Sequence, residues 1–121
     1  MNEFRPTILV IEPDRPTFEL YNRSLGREFQ VIHAASEQQA SVFLGQDAIE
    51  GVILEPAGLG EKGWALLAAI KSRSASRRLP VILCSSLDER QRGLEMGAAV
   101  YLLKPVLPTV LLQTLHRVIK S

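Results

Sequence analysis

A single cysteine, Cys84, excludes an internal disulfide, and its place inside the apolar run VILCSS marks it as a buried structural thiol rather than a reactive one. No apolar run approaches the roughly 18 residues needed to cross a bilayer. The opening MNEFRPTILVIEPDRP holds only the short apolar stretch Ile8 to Ile11 before Glu12, unlike a secretory signal. A cytoplasmic protein with no membrane partner is the expectation. Charge of one sign is missing too: fourteen Lys and Arg against thirteen Asp and Glu give a formal charge of +1, so no global field attracts nucleic acid. There is no glycine-rich phosphate loop, since the EPDRP turn after the first apolar run matches neither a P-loop nor a dinucleotide fingerprint. The two histidines, His33 and His116, are too isolated for a metal site; the first is expected at a strand edge and the second on the polar side of a helix.

What is present is ordinary for a globular domain: 46% apolar and 22% charged residues over 121 positions, with no linker, repeat or low-complexity segment. A domain of this length buries about two thirds of the surface its unfolded chain exposes. The expectation is one domain spanning 1–121 without an effector domain. Five aliphatic runs read as strands: Thr7 to Ile11, Gln30 to His33, Gly51 to Leu54, Pro80 to Cys84 and Val100 to Leu103. The first, third and fourth lack polar alternation, which predicts burial on both faces of a parallel sheet.

Helices are predicted between and after them. Pro16 to Leu25 follows the N-cap candidate Asp14 and stops at Gly26; a second helix, with Ser36 as its N-cap candidate, stops before Gly45. A third runs from about Gly63 to Ser72 with Trp64 in its first turn, a fourth from about Asp88 to Met96, and a fifth from about Pro108 to Lys120. Five strand–helix repeats with short connections predict an α/β, flavodoxin-like (βα)5 doubly wound parallel sheet of order 2-1-3-4-5. Its functional crevice belongs at the carboxyl ends of strands one and three.

The segments at those ends carry a family resemblance. ILVIEPD resembles the opening of the response regulator receiver domain, where an aliphatic strand runs into an acidic pair. GVILEPAGLGEKGWALL resembles the stretch with the phosphoaccepting aspartate, PVILCSS the strand with a hydroxyl, and GLEMGAAVYLLKP the stretch ending in the family's lysine. Together they cover essentially the whole chain. The resemblance implies a two-component signalling role and a pocket in which Mg²⁺ neutralises an incoming phosphoryl group. It places Lys104 and Ser85 as the phosphate contacts and Tyr101 as the switch aromatic. Glu12 and Pro13 stand at the acidic pair, and Glu55 stands at the phosphoacceptor.

Set against the resemblance, these departures imply a pseudo-receiver. Proline offers no side-chain oxygen at the position that touches the metal, and Mg²⁺ demands near-octahedral oxygen coordination. Asp14 lies one residue on but serves more naturally as a helix cap. The extra methylene of Glu55 displaces the nucleophilic oxygen, and phosphoryl transfer depends on in-line positioning. Two readings of Glu55 stay open: an ion pair with Lys104 that fixes one conformational state, or tolerated drift at the solvated mouth of the crevice.

The leading expectation is therefore a stand-alone, non-enzymatic receiver impaired in Mg²⁺-dependent phosphorylation, with no cofactor, that acts by binding protein. A histidine kinase or downstream effector would dock on the last two helices and strand five, and the same surface could support a homodimer. There the stripe Val110, Leu111, Leu112, Leu115, Val118 and Ile119 is expected to exceed what the sheet covers, extended by Val106 and Leu107. One alternative is a working phosphoacceptor that uses Glu55 or a nearby carboxylate with Mg²⁺, for which Glu12, Asp14 and Glu55 are the only metal ligands on offer. A further alternative is a small-ligand-binding flavodoxin-like module, on fold analogy alone. The basic run KSRSASRR, Lys71 to Arg78, reads as a solvated loop rather than a nucleic-acid site.

Overall fold

The computed structural model describes residues 5–46 and 48–119. Its strands are β1 (Thr7–Ile11), β2 (Gln30–Ala34), β3 (Gly51–Leu54), β4 (Val81–Ser85) and β5 (Val100–Leu103). All pair in parallel in the order β2-β1-β3-β4-β5. The helices are α1 (Arg15–Leu25), α2 (Glu37–Gln46), α3 (Pro56–Leu59), α4 (Glu61–Ser72), α5 (Arg90–Glu95) and α6 (Pro108–Ile119). The readings of Met1 to Phe4 and of a helix end at Lys120 fall outside the described residues.

Alternation along the strands divides the core into two layers. Leu9, Ile11, Val52, Leu54 and Leu83 face one side, where Ala40 of α2 and Trp64, Leu67 and Ile70 of α4 cover them. Ile8, Val10, Ile53, Ile82 and Cys84 face the other, under Phe18, Tyr21 and Leu25 of α1 and Leu111 and Leu115 of α6. Strands buried on both faces need no polar alternation, which is why these runs read as continuously apolar. Burial pushes the Cys84 thiol up to about 12, so it is an inert packing group.

α1 forms as its sequence suggests, with the Asp14 carboxylate accepting from Thr17 N at 3.1 Å. α2 instead passes through Gly45 to Gln46, because nothing crowds that glycine and a helix tolerates it at modest cost. The third predicted helix is α4, starting two residues earlier at Glu61, and a one-turn α3 that was not predicted precedes it. Gly60 adopts φ 66°, ψ −150°, a conformation closed to side chains with a Cβ, so the chain breaks after a one-turn α3 and restarts at Glu61. β4 is shifted by one residue to Val81–Ser85, and β2 gains Ala34. α5 is shorter than predicted at both ends.

The apolar stripe of α6 is largely consumed by the core. Leu111 and Leu115 are fully buried, Leu112, Val118 and Ile119 pack beside them, and Val106 is buried as well. Only Val110 and Leu107, the latter 68% exposed, project outward, so the expected excess of the stripe and its extension through Val106 are corrected. Lys71 is only partly solvated: its ammonium donates to the Leu79 carbonyl at 2.6 Å and the Arg77 carbonyl at 3.2 Å.

Candidate functional site

The parallel ladder continues one residue past three strand ends. Glu12 N donates to Ala34 O at 3.0 Å, Glu55 N to Ile11 O at 3.0 Å and Lys104 N to Ser85 O at 2.8 Å. This register sets Glu12 and Glu55 side by side above β1 and β3, where the strand order reverses, and Lys104 at the same end of the sheet after β5. They converge. Lys104 Nζ stands 2.7 Å from Glu12 Oε1 and 2.6 Å from Glu55 Oε1.

Both carboxylates are buried, Glu12 at 2% and Glu55 at 4% exposure, so a solvated Glu55 at the crevice mouth is ruled out. Their remaining oxygens are also engaged. Glu12 Oε2 accepts from Asp14 N at 3.1 Å, while Glu55 Oε2 accepts from Ala57 N at 2.9 Å and Gly58 N at 3.4 Å as the N-cap of α3. Burial by itself would depress the Lys104 ammonium; the hydrogen bonds and charges of Glu12 and Glu55 outweigh it and hold the group above its ordinary value. The Lys104–Pro105 peptide bond is cis.

Around the triad lies a depression of about 400 Å³ lined by Pro13, Asp14, Gly58, Ser86 and Leu87 among others. A Cβ on Gly58 would come within 2.7 Å of Pro13 Cγ, so the proline ring rests on the backbone of α3. Mg²⁺ needs oxygens free to enter an octahedral shell. Here the Glu12 and Glu55 oxygens are taken by an ammonium and three amides, and Asp14 is committed to Thr17. Pro13 presents only its ring. This donor set does not fit the ion.

Ser85, the implied phosphate contact, is fully buried and its Oγ accepts from Leu87 N at 3.2 Å, whereas the neighbouring Ser86 lines the depression. Tyr101 is turned inward: its hydroxyl donates to the Leu87 carbonyl and accepts from Glu89 N at 3.0 Å, tying β5 to the loop before α5. Gly93 permits this packing, because a Cβ there would lie 2.6 Å from Leu83 Cδ1 and 2.8 Å from Tyr101 Cδ2. Gly93→Ala is expected to force α5 and the Tyr101 ring apart at a cost of about 1–3 kcal/mol. Urea unfolding measures the cost, and a shift of the Tyr101 ring resonances reports the displacement.

Three features beyond the expected site residues stand out. His33 stacks on Phe18 at 3.8 Å between ring centroids, with Nε2 2.9 Å from Glu12 O. Trp64 is core, and the Arg92 guanidinium lies 4.1 Å over its ring while pairing with Glu61 at 2.9 Å, which pins α5 to α4. The backbone amides of Ala57 and Gly58 complete the cradle of Glu55. The first and third were unreadable from side-chain types; a Pro following Glu55 was the one available sign that Glu55 caps a helix.

A doubly wound sheet with two carboxylates at its reversal point, met by a lysine reaching across from the end of β5, has the arrangement of a receiver-type signalling domain. The comparisons agree. The transcriptional regulatory protein HprR of Escherichia coli is 33% identical over 102 residues, covering 81% of this chain and 44% of that protein. Response regulator PleD of Caulobacter vibrioides is 26% identical over 103 residues, 82% of this chain and 23% of its own length. A response regulator from Thermotoga maritima superposes with a TM-score of 0.86 at 28% identity, covering 98% of this chain and all of that one. No protein-family model matches the chain. The chain belongs to the response regulator receiver domains, the CheY-like family of two-component systems. It spans less than half the length of these curated relatives. Among the described residues no helix is long and apolar enough to cross a membrane.

Proposed function

We propose that this receiver domain works without phosphorylation of its own, held in one state by an internal ion-pair triad, and signals by contact with another protein. One observation carries this reading: Lys104 Nζ is held between Glu12 Oε1 and Glu55 Oε1 at 2.7 and 2.6 Å. In the family this lysine grips the phosphoryl group; here its ammonium is already paired with two buried charges. The carboxylate of Glu55 carries about one negative charge against nearly two on a phosphorylated group, so it replaces the phosphoryl ligand only in part. Output would pass through the face formed by α5, β5 and α6, where Leu87, Leu94, Leu103, Leu107 and Val110 remain exposed. That face suits a kinase or effector partner, or a second copy.

Incubation with acetyl phosphate and Mg²⁺, followed by intact-mass measurement, is expected to leave the mass unchanged. Amide NMR signals near Glu55 and Lys104 are likewise expected to stay in place on adding Mg²⁺ with beryllofluoride. A phosphoryl-sized mass gain lost in Glu55→Ala would overturn the reading in favour of a working glutamate phosphoacceptor.

A further inference from the structure

The loop joining α4 to β4 lies at the amino-terminal end of the sheet, opposite the crevice, and is built to hold one shape. Arg77 N donates to Arg73 O at 2.8 Å, Leu79 N to Ser76 O at 3.0 Å, and Ser76 Oγ to Ile70 O at 2.7 Å. Lys71 ties the loop down from beneath through the Arg77 and Leu79 carbonyls. With Lys71 turned to this task, the loop displays three exposed guanidinium groups, Arg73, Arg77 and Arg78. Among the described residues none of the three forms an ion pair; Arg15, Arg90 and Arg92 do, while Arg23 and Arg27 on and after α1 do not but are not gathered on one loop.

Two depressions flank these charges and meet at Ala75. One, of about 250 Å³, lies between α2 and α4 with Leu44, Leu66 and Ile70 in its wall and Arg73 on its rim. The other, of about 340 Å³, is lined by Ile49, Leu79, Val118 and Ile119 with Arg78 and one acidic residue, Glu50, so the carboxylates of an occupant would pair on the arginine side. Charge alone would suit any polyanion. The recessed apolar walls narrow the choice, because they accept protruding aliphatic side chains beside carboxylates. No aromatic side chain lines either depression, so bases have nothing to stack on. Apart from the arginines the loop exposes only Ser74 and Ala75, and Leu79 and Pro80 are half-buried, so no large apolar group protrudes to enter a bilayer.

We propose that this loop is a second docking surface, for an acidic segment of a partner protein that carries aliphatic anchors. The carboxylates pair with Arg73, Arg77 and Arg78 while the anchors occupy the two depressions. Such pairing sets association rate and specificity and weakens with salt. Nothing in the proposal depends on the state of the crevice at the other end of the sheet.

Fluorescence anisotropy with a labelled synthetic peptide of alternating glutamate and leucine tests it, beside three other probes: an all-aspartate peptide of equal length, oligodeoxythymidylate and phosphatidylserine vesicles. The expected result is saturable, salt-sensitive binding of the glutamate–leucine peptide, tighter than any other probe. The combined variant Arg73→Gln, Arg77→Gln and Arg78→Gln should weaken it about tenfold or more, as three exposed charge pairs are lost. Amide shifts should map to residues 73–79. Absence of binding, equal binding by the variant, or shifts confined to another face would each overturn the proposal. Tighter binding of the oligonucleotide or the vesicles would also overturn it, and would assign the loop to nucleic acid or to a membrane surface.

Discussion

Replacing Lys104 with methionine is expected to cost about 3–5 kcal/mol of folding free energy, the range for removing one partner of a buried ion pair. Methionine fills much of the lysine's volume, so the loss is electrostatic rather than a cavity. Glu12 and Glu55, each nearly fully buried, would face each other without the ammonium that lies 2.7 and 2.6 Å from them. The backbone amides of Asp14, Ala57 and Gly58 solvate one oxygen of each carboxylate but supply no full charge. Urea unfolding near neutral pH measures the cost. The triple variant Lys104→Met, Glu12→Gln, Glu55→Gln should recover most of it, since neutral amides need no counter-charge. Equal instability of the single and triple variants would show that packing, not charge, was lost. The sign of the pH dependence follows from the elevated Lys104 value. A base held more firmly protonated in the folded state contributes fully below its unfolded value of about 10.4 and loses that contribution as pH rises through the higher folded value. The difference between wild type and Lys104→Met should therefore stay level from neutral pH up to about 10.

The same triad marks where the sequence could be read and where it could not. Strands buried on both faces announce a parallel sheet, and a parallel sheet with five repeats places Glu12, Glu55 and Lys104 at one end of it, the first two on neighbouring strands. What cannot be read is the last torsion. Ser85 stands where a phosphate-gripping hydroxyl would be, yet its χ1 turns Oγ to Leu87 N and leaves Ser86 at the surface. The break between α3 and α4 depends on a positive φ at Gly60, which a glycine permits without requiring. Lys71 looked like one more solvated charge because its carbonyl partners are backbone atoms brought round by the loop itself. Contacts that join distant side chains, such as Arg92 over Trp64, carry no local pattern at all.

Restoring two side-chain lengths is expected to restore phosphate chemistry, which sets the strongest condition on the proposed function. In the double variant Pro13→Asp, Glu55→Asp, the shorter side chain at 55 withdraws from Lys104 by about one methylene, and its oxygen moves to where in-line attack needs it. An aspartate at 13 supplies the missing carboxylate next to Glu12. Space for it exists, because removing the proline ring clears the contact with Gly58. Neither change should suffice alone. Pro13→Asp leaves Lys104 held by Glu55, and Glu55→Asp loosens one of the lysine's two pairs, that with Glu12 remaining, without completing a metal shell, so the two are expected to be strongly non-additive. Mg²⁺ with beryllofluoride should then shift amide signals around residues 55 and 104. Acetyl phosphate should add one phosphoryl mass, at a rate at least about 10²-fold above wild type, the penalty typical of an ångström-scale misplacement. If the folded double variant is as unreactive as the wild type, the block lies elsewhere in the pocket, and the buried hydroxyl of Ser85 is the next residue to change.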